Sequence, residues 1–317
     1  MFQLFATVWL LLTAVCHAYL HNATVKIIHQ YQPVTWVENL AIRPDGFVLP
    51  IFQLNTSSSL TQVNPKTGES FEIYDFIAAG NSLSSITAVT PDLFAVVVVS
   101  CSQTLVCTTG SGSIWRVDFR PTKRFRTGAL VTKITTIPSV EFPNGMAALN
   151  DRTVLLADSY CGRLWSIDIW TGETNLLFTD PLMNATSATS PVGINGIRYA
   201  LGELYFTNSA QNTLNRVCID PITGHRIGSS TVVASGLNAP DDFGLDLVKR
   251  FAYVAGGRTD ALFRISLDSG EIKSIAALPG PTSARFGING KLYVSTNGDL
   301  LQGNYTMGGA IYEIEVY

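Results

Sequence analysis

Six side chains able to ligate, hydrogen-bond or carry charge recur along this chain: Glu38, Ser85, Asn144, Asn195, Asp241 and Ser283, at steps of 47, 59, 51, 46 and 42 residues. Each stands six residues before a turn that closes a short apolar segment. Two carboxylates and two carboxamides gathered on one axis would be oxygen donors suited to a hard divalent ion, calcium above all, so Glu38, Asn144, Asn195 and Asp241 are the candidate metal ligands. Without a cation, Glu38 and Asp241 would raise each other's pKa if close. The competing reading of Asn144-Gly145 and Asn195-Gly196 is plain turn chemistry at strand ends.

The elements that would carry these residues are short strands. Segments such as Gly46–Phe52, Leu93–Val99, Thr153–Ala157, Glu203–Phe206, Phe251–Ala255 and Lys291–Val294 are apolar and rich in β-branched or aromatic residues. Turn residues bound them, as in Pro44-Asp45-Gly46, Pro91-Asp92 and Asn289-Gly290. Third and fourth strands follow in most copies. A repeat of this length built from four short strands predicts an all-β, six-bladed β-propeller with antiparallel blades. The last copy lacks a fourth strand. Thr24–Ile28 has no blade of its own, so this N-terminal strand is expected to close the ring.

In such a ring the first strand of each blade lines the central channel. Strict alternation then turns Leu40, Thr87, Met146, Ile197, Phe243 and Arg285 towards the channel as well. This predicts a polar upper ring over a mostly apolar layer. The loops after the second strands open on the same face and bring Asp158, Asn208, Arg258 and Asn297 as a second polar tier. Trp36 and Tyr160 are candidate aromatic walls. The mature chain has three histidines, His21, His29 and His225, none near the expected channel mouth. A Ser-His-Asp triad is therefore disfavoured, and there is no G-x-S-x-G, phosphate loop or dinucleotide fingerprint.

Residues 1–18 read as a secretory signal peptide, with an apolar core at Leu10–Leu12 and a small residue at Ala18. An N-terminal membrane anchor is the alternative. Residues 19–317 then form a single propeller domain in a secreted or secretory-pathway protein. Sequons at Asn22, Asn55, Asn184 and Asn304 are candidate N-glycosylation sites on that route. Four cysteines remain after the leader. Cys101 and Cys107 flank a short loop and can pair, which leaves Cys161 and Cys218 to each other, although spacing alone does not settle the connectivity. The formal net charge of −3 disfavours nucleic acid as a partner. The basic stretch Lys123–Arg126 reads as a solvated hairpin. No segment after the leader has the length of a membrane span.

Pro143-Asn144-Gly145-Met146, Ile194-Asn195-Gly196-Ile197 and Pro240-Asp241-Asp242-Phe243, with Glu38 upstream, resemble the SMP-30/gluconolactonase-like six-bladed propellers. That resemblance covers essentially the whole mature chain. It implies a divalent metal held by Glu38, Asn144, Asn195 and Asp241, with Asp242 as an alternative to Asp241. Further phrases, Leu155–Ser159, Leu204–Ser209 and Gly280–Ala284, are similar to a secreted fungal branch. That branch includes hetero-Diels–Alderases of tropolonic sesquiterpenoid biosynthesis.

The function implied is an intermolecular [4+2] cycloaddition between a tropolone-derived ortho-quinone methide and a humulene-type sesquiterpene, with no cofactor required. Asn144, Asn195, Asp241 and Arg285 are its candidate catalytic residues, with Arg258 as a further donor. Glu38, Leu40, Met146, Asp158, Ile197, Asn208, Phe243, Arg258 and Asn297 would bind substrate. The alternatives are a calcium-dependent lactonase and a non-catalytic secreted binding propeller.

Overall fold

A computed structural model describes residues 23–54, 58–102, 104, 106–122, 128–187 and 189–316. These form six sheets of four antiparallel strands. The innermost strands are Trp36–Ile42, Ser82–Thr90, Pro143–Ala148, Ile194–Ala200, Pro240–Asp246 and Pro281–Phe286, defining blades 1 to 6 in order. The expected leader, the sequons at Asn22 and Asn55, and Lys123–Arg126 lie outside the described residues.

Strand composition follows radial position. The second strand of blade 2, Leu93–Val99, is buried along its whole length, because both its faces meet a neighbouring blade. The outermost strand of blade 1, Ser70–Asp75, has no buried residue and carries polar side chains. Apolar side chains pack between adjacent blades rather than within one sheet. Leu49, Ile51 and Leu60 of blade 1 meet Leu83, Phe94 and Val96 of blade 2. Comparable seams join the blades around the ring, and the last, with Ile28, Tyr293 and Ile311 against Leu40 and Val48, joins blade 6 to blade 1.

Closure is as expected. Thr24–Gln30 pairs with Ala310–Glu315 and is the outermost strand of blade 6. Its one buried residue is Ile28. His29 Nδ1 also lies 2.7 Å from the carbonyl oxygen of Gly68, on the outer hairpin of blade 1. The N-terminal strand thus ties the last blade to the first.

Each inner strand carries a bulge near its start. The register slips between Val37 and Asn39, Leu83 and Ser85, Pro143 and Met146, Ile194 and Ile197, Pro240 and Phe243, and Pro281 and Ser283. One extra residue interrupts the alternation there. Leu40, Met146, Ile197 and Phe243 consequently turn into the seams between blades and are buried in apolar clusters. The expected apolar layer on the channel does not form. The bulges also set the register of the ring. Ser84 and Thr282, not Ser85 and Ser283, are equivalent to Glu38 and Asp241.

Cys101 and Cys107 form a disulfide, a bond that fits an oxidising compartment. The second expected pair does not form: Cys161 and Cys218 are free. Cys161 follows the top end of its blade's second strand. Cys218 pairs with Glu203 at the opposite end of blade 4, so the two lie at different ends of the propeller.

Candidate functional site

The inner strands start at one end of the ring, and a cavity of about 290 Å³ opens there. This is the size of a small-molecule site. Its polar floor is Glu38, Asn144, Asn195 and Asp241, four of the six residues picked out by spacing. Ser85 and Ser283 do not line it. Trp36, Phe142, Pro191, Val192 and Leu301 form an apolar wall. Arg258 stands at the rim, exposed and without an ion-pair partner among the described residues.

The bulges and small residues bring the four polar side chains together. A Cβ on Gly145 would come within 2.1 Å of the Asn195 carbonyl oxygen, and one on Gly196 within 2.3 Å of Asp242 Oδ1. The glycines after Asn144 and Asn195 are therefore demanded by close approach of neighbouring inner strands. Hydroxyls stitch those strands at the same height. Thr207 Oγ1 donates to the Asp241 carbonyl at 2.6 Å, and Ser209 Oγ to that of Pro240 at 2.7 Å.

Burial pushes the Glu38 carboxyl up to about 8; the nearby Trp36 indole N–H works against this, and the charge of Asp242 adds to it. Asp241 is raised well above the usual carboxylate range, first by burial, then by the charges of Glu38 and Asp242. Glu38 Oε2 and Asn195 Oδ1 are buried with no hydrogen-bond partner among the described residues. Two mutually repelling carboxylates and an unmet carboxamide oxygen fit a hard divalent cation. Glu38, Asn144, Asn195 and Asp241 would hold it, and it would supply Lewis-acid polarisation of a carbonyl.

Beneath the floor, Asp242 plugs the channel. Its Oδ2 accepts from Asn39 Nδ2 at 2.8 Å, Arg198 Nη2 at 2.6 Å, Arg285 Nη2 at 3.0 Å and Ser283 Oγ at 3.1 Å. Blades 1, 4, 5 and 6 meet on this one carboxylate. Of the adjacent aspartates, Asp241 therefore faces the cavity and Asp242 the hub. Arg285 faces the axis as expected, but its guanidinium is spent on Asp242, Asn39 and the carbonyls of Phe243 and Ala284. It does not line the cavity.

The second polar tier divides. Arg258 reaches the cavity, whereas Asp158, Asn208 and Asn297 are fully buried behind it. Asp158 accepts from the Phe142 backbone N–H at 3.1 Å. Asn208 donates to the carbonyls of Leu182 and Asn184, both at 2.9 Å, and so pins the start of the loop that brings Pro191 and Val192 to the cavity. Trp36 lines the cavity; Tyr160 instead packs against Phe142 with ring centroids 4.9 Å apart. Sequence reasoning missed Phe142, Val192 and Leu301 as lining residues. Phe142 and Val192 come from loops and Leu301 from a single 3-10 turn, where no periodicity marks the inward face.

No family model matches this chain. A protein of Phoma sp named "Putative hetero-Diels-Alderase" is 29% identical over 312 residues, which cover 86% of this chain and 86% of that one. A second protein so named, from Sarocladium schorii, is 25% identical over 314 residues, covering 83% of this chain and 74% of its own. This chain is a relative of these proteins. The resemblance read in its phrases holds along most of its length. Among solved structures, a luciferin-regenerating enzyme superposes with a TM-score of 0.67 at 14% identity, covering 93% of this chain and 95% of that one. A calcium-binding regucalcin from Agrobacterium tumefaciens gives 0.64 at 15%, covering 93% and 96%. At such identities the structural likeness speaks for the propeller fold alone.

Proposed function

We propose that this chain is an exported hetero-Diels–Alderase. It joins a tropolone-derived ortho-quinone methide to a humulene-type sesquiterpene in an intermolecular [4+2] cycloaddition of fungal secondary metabolism. The observation that carries the reading is a cavity with one apolar wall and one hydrogen-bonding floor, lined among the described residues by no histidine or cysteine, in a chain whose relatives bear that name. Such a cycloaddition needs two partners held face to face. Pre-orientation removes up to about 7–11 kcal/mol of entropic barrier in favourable cases.

The wall of Trp36, Phe142, Val192 and Leu301 would receive the hydrocarbon. Asn144 and Arg258 have no hydrogen-bonded protein partner among the described residues and would donate to the quinone-methide oxygen as negative charge builds there. Asn195 Nδ2 donates one N–H to Ser209 Oγ at 2.9 Å and also hydrogen-bonds the Asp241 carboxyl, which makes it an orienting rather than a donating group. Arg285 is withdrawn from the donor role, because the hub occupies it. Export by a leader at residues 1–18, with glycans at Asn184 and Asn304, belongs to the same reading.

The test is product analysis. Purified protein is mixed with a quinone-methide precursor and a hydroxylated humulene, and adducts are resolved by chiral chromatography with mass detection. Acceleration and a changed stereoisomer ratio are expected; a ratio and rate equal to the protein-free reaction defeats the assignment. The unmet oxygens of Glu38 and Asn195 favour a second reading, a cation-dependent lactone hydrolase. That reading requires lactone turnover that a chelator abolishes and calcium restores.

A further inference from the structure

Trp36 and Gln53 face each other directly across the first hairpin of blade 1, and both side chains line the cavity. Direct cross-strand partners project to the same face. Trp36 is 6% exposed and Gln53 2%. Nevertheless the Gln53 carboxamide oxygen Oε1 is buried with no hydrogen-bond partner among the described residues, and the indole Nε1, close enough to Glu38 to favour its charged form, closes no hydrogen bond to it. Buried polar atoms are rarely left unmet, and a group in a cavity that lacks a protein partner is a place for a ligand's. The two atoms are chemically opposite: indole N–H only donates and the carboxamide oxygen only accepts.

We propose that the Trp36–Gln53 pair is a recognition edge for a planar ring that carries a hydroxyl beside a carbonyl. The ligand carbonyl accepts from Trp36 Nε1 and the adjacent hydroxyl donates to Gln53 Oε1. The Trp36 and Phe142 rings supply flat surface for the ligand ring. A carboxylate would satisfy Trp36 but oppose both the Gln53 oxygen and the neighbouring Glu38. A lactone has two acceptors and no donor, and leaves Gln53 unmet. The edge therefore selects a hydroxy-carbonyl ring over either. This inference rests on the reading that the cavity receives a ring substrate, and it assigns that ring to the blade 1 corner.

The probes are tropolone, its O-methyl ether and tropone, titrated calorimetrically into the full mature protein in buffer acidic enough to keep tropolone neutral. Tropolone should bind about fivefold or more tightly than either analogue, the effect of one hydrogen bond. Trp36→Phe and Gln53→Leu should each weaken tropolone by a similar factor and erase the preference, with thermal unfolding recorded to show that both variants fold. Equal binding of the three probes by the wild-type protein, no binding of tropolone, or a preference retained in both variants overturns the proposal. The ligand series needs no variant, so it stands even if one fails to fold. If cycloaddition fails while the preference is intact, the reaction is lost and the edge survives; active cycloaddition without the preference removes the edge alone.

Discussion

At the scale of single residues, Glu38 holds its proton far above the pH at which an unfolded glutamate releases it. Its carboxyl is raised from 4.5 to about 8. Between those values the folded chain binds more protons than the unfolded one, so stability falls as pH rises through that window and levels off above it. In chelator-containing buffer, the wild-type melting temperature should decline from pH 5 to pH 8. Glu38→Gln should reduce that decline to the part set by Asp241, which is also raised, because the amide has no proton to lose. Added calcium should restore the wild-type protein at the alkaline end by neutralising the ionised pair. A wild-type profile parallel to that of Glu38→Gln would falsify the assignment of Glu38 as a buried, unpaired acid.

Asn144 supports a second residue-scale prediction. Its carboxamide faces the cavity and has no hydrogen-bonded protein partner among the described residues. Asn144→Ala should therefore leave the unfolding free energy within about 1 kcal/mol of wild type. It should lower kcat/KM for cycloaddition by about tenfold or more, as expected for loss of a donor to developing charge. Steady-state kinetics beside a denaturant titration separates the two quantities.

At the scale of elements, the disulfide hairpin of blade 2 buttresses the cavity it does not line. Cys101 and Cys107 pack with Phe142, Val99 and Val192, two of which belong to the apolar wall. Replacing both cysteines by serine should cost about 2 kcal/mol, the loop-closure value for so short a loop. It should also raise KM for the hydrocarbon partner more than it lowers kcat, since the wall loosens while the floor is untouched. The closing strand makes a different prediction. Ile28 is its one buried side chain, and an aspartate there places an unpaired charge in the seam between blades 6 and 1. Ile28→Asp should lower the unfolding free energy by several kcal/mol in a urea titration, or abolish recovery of folded protein.

These elements also show what was legible in the sequence. Blade count and closure were, because strand length, turn residues and an orphan N-terminal strand all repeat or fail to repeat on a visible period. Glu38, Asn144, Asn195 and Asp241 were legible because they share one distance to the following turn. The layer below was not. Alternation assigned Leu40, Met146, Ile197 and Phe243 to the channel, and a one-residue bulge in every inner strand sent them into the seams. The same bulge hid the true register of Ser84 and Thr282. Val192 and Leu301 reach the cavity on loops held by distant partners such as Asn208, and no local pattern encodes that reach.

For the whole molecule, one carboxylate links ring integrity to the electrostatics of the floor. Asp242 joins side chains from four blades and is the counter-charge for both Arg198 and Arg285. It also raises the carboxyls of Glu38 and Asp241 above it. Asp242→Asn should thus have two separable effects. Two largely buried guanidinium groups lose their counter-charge, which should lower unfolding free energy by about 3 kcal/mol in a denaturant titration. The floor loses a repelling charge, so the folded pKa of Glu38 should fall towards 4.5. The decline then spans a narrower window and ends at lower pH, so the expected observation is an earlier plateau and a smaller total loss, superimposed on a protein less stable at every pH. A variant that loses stability but keeps the wild-type plateau position would show that the hub holds the blades together without acting on the site above it.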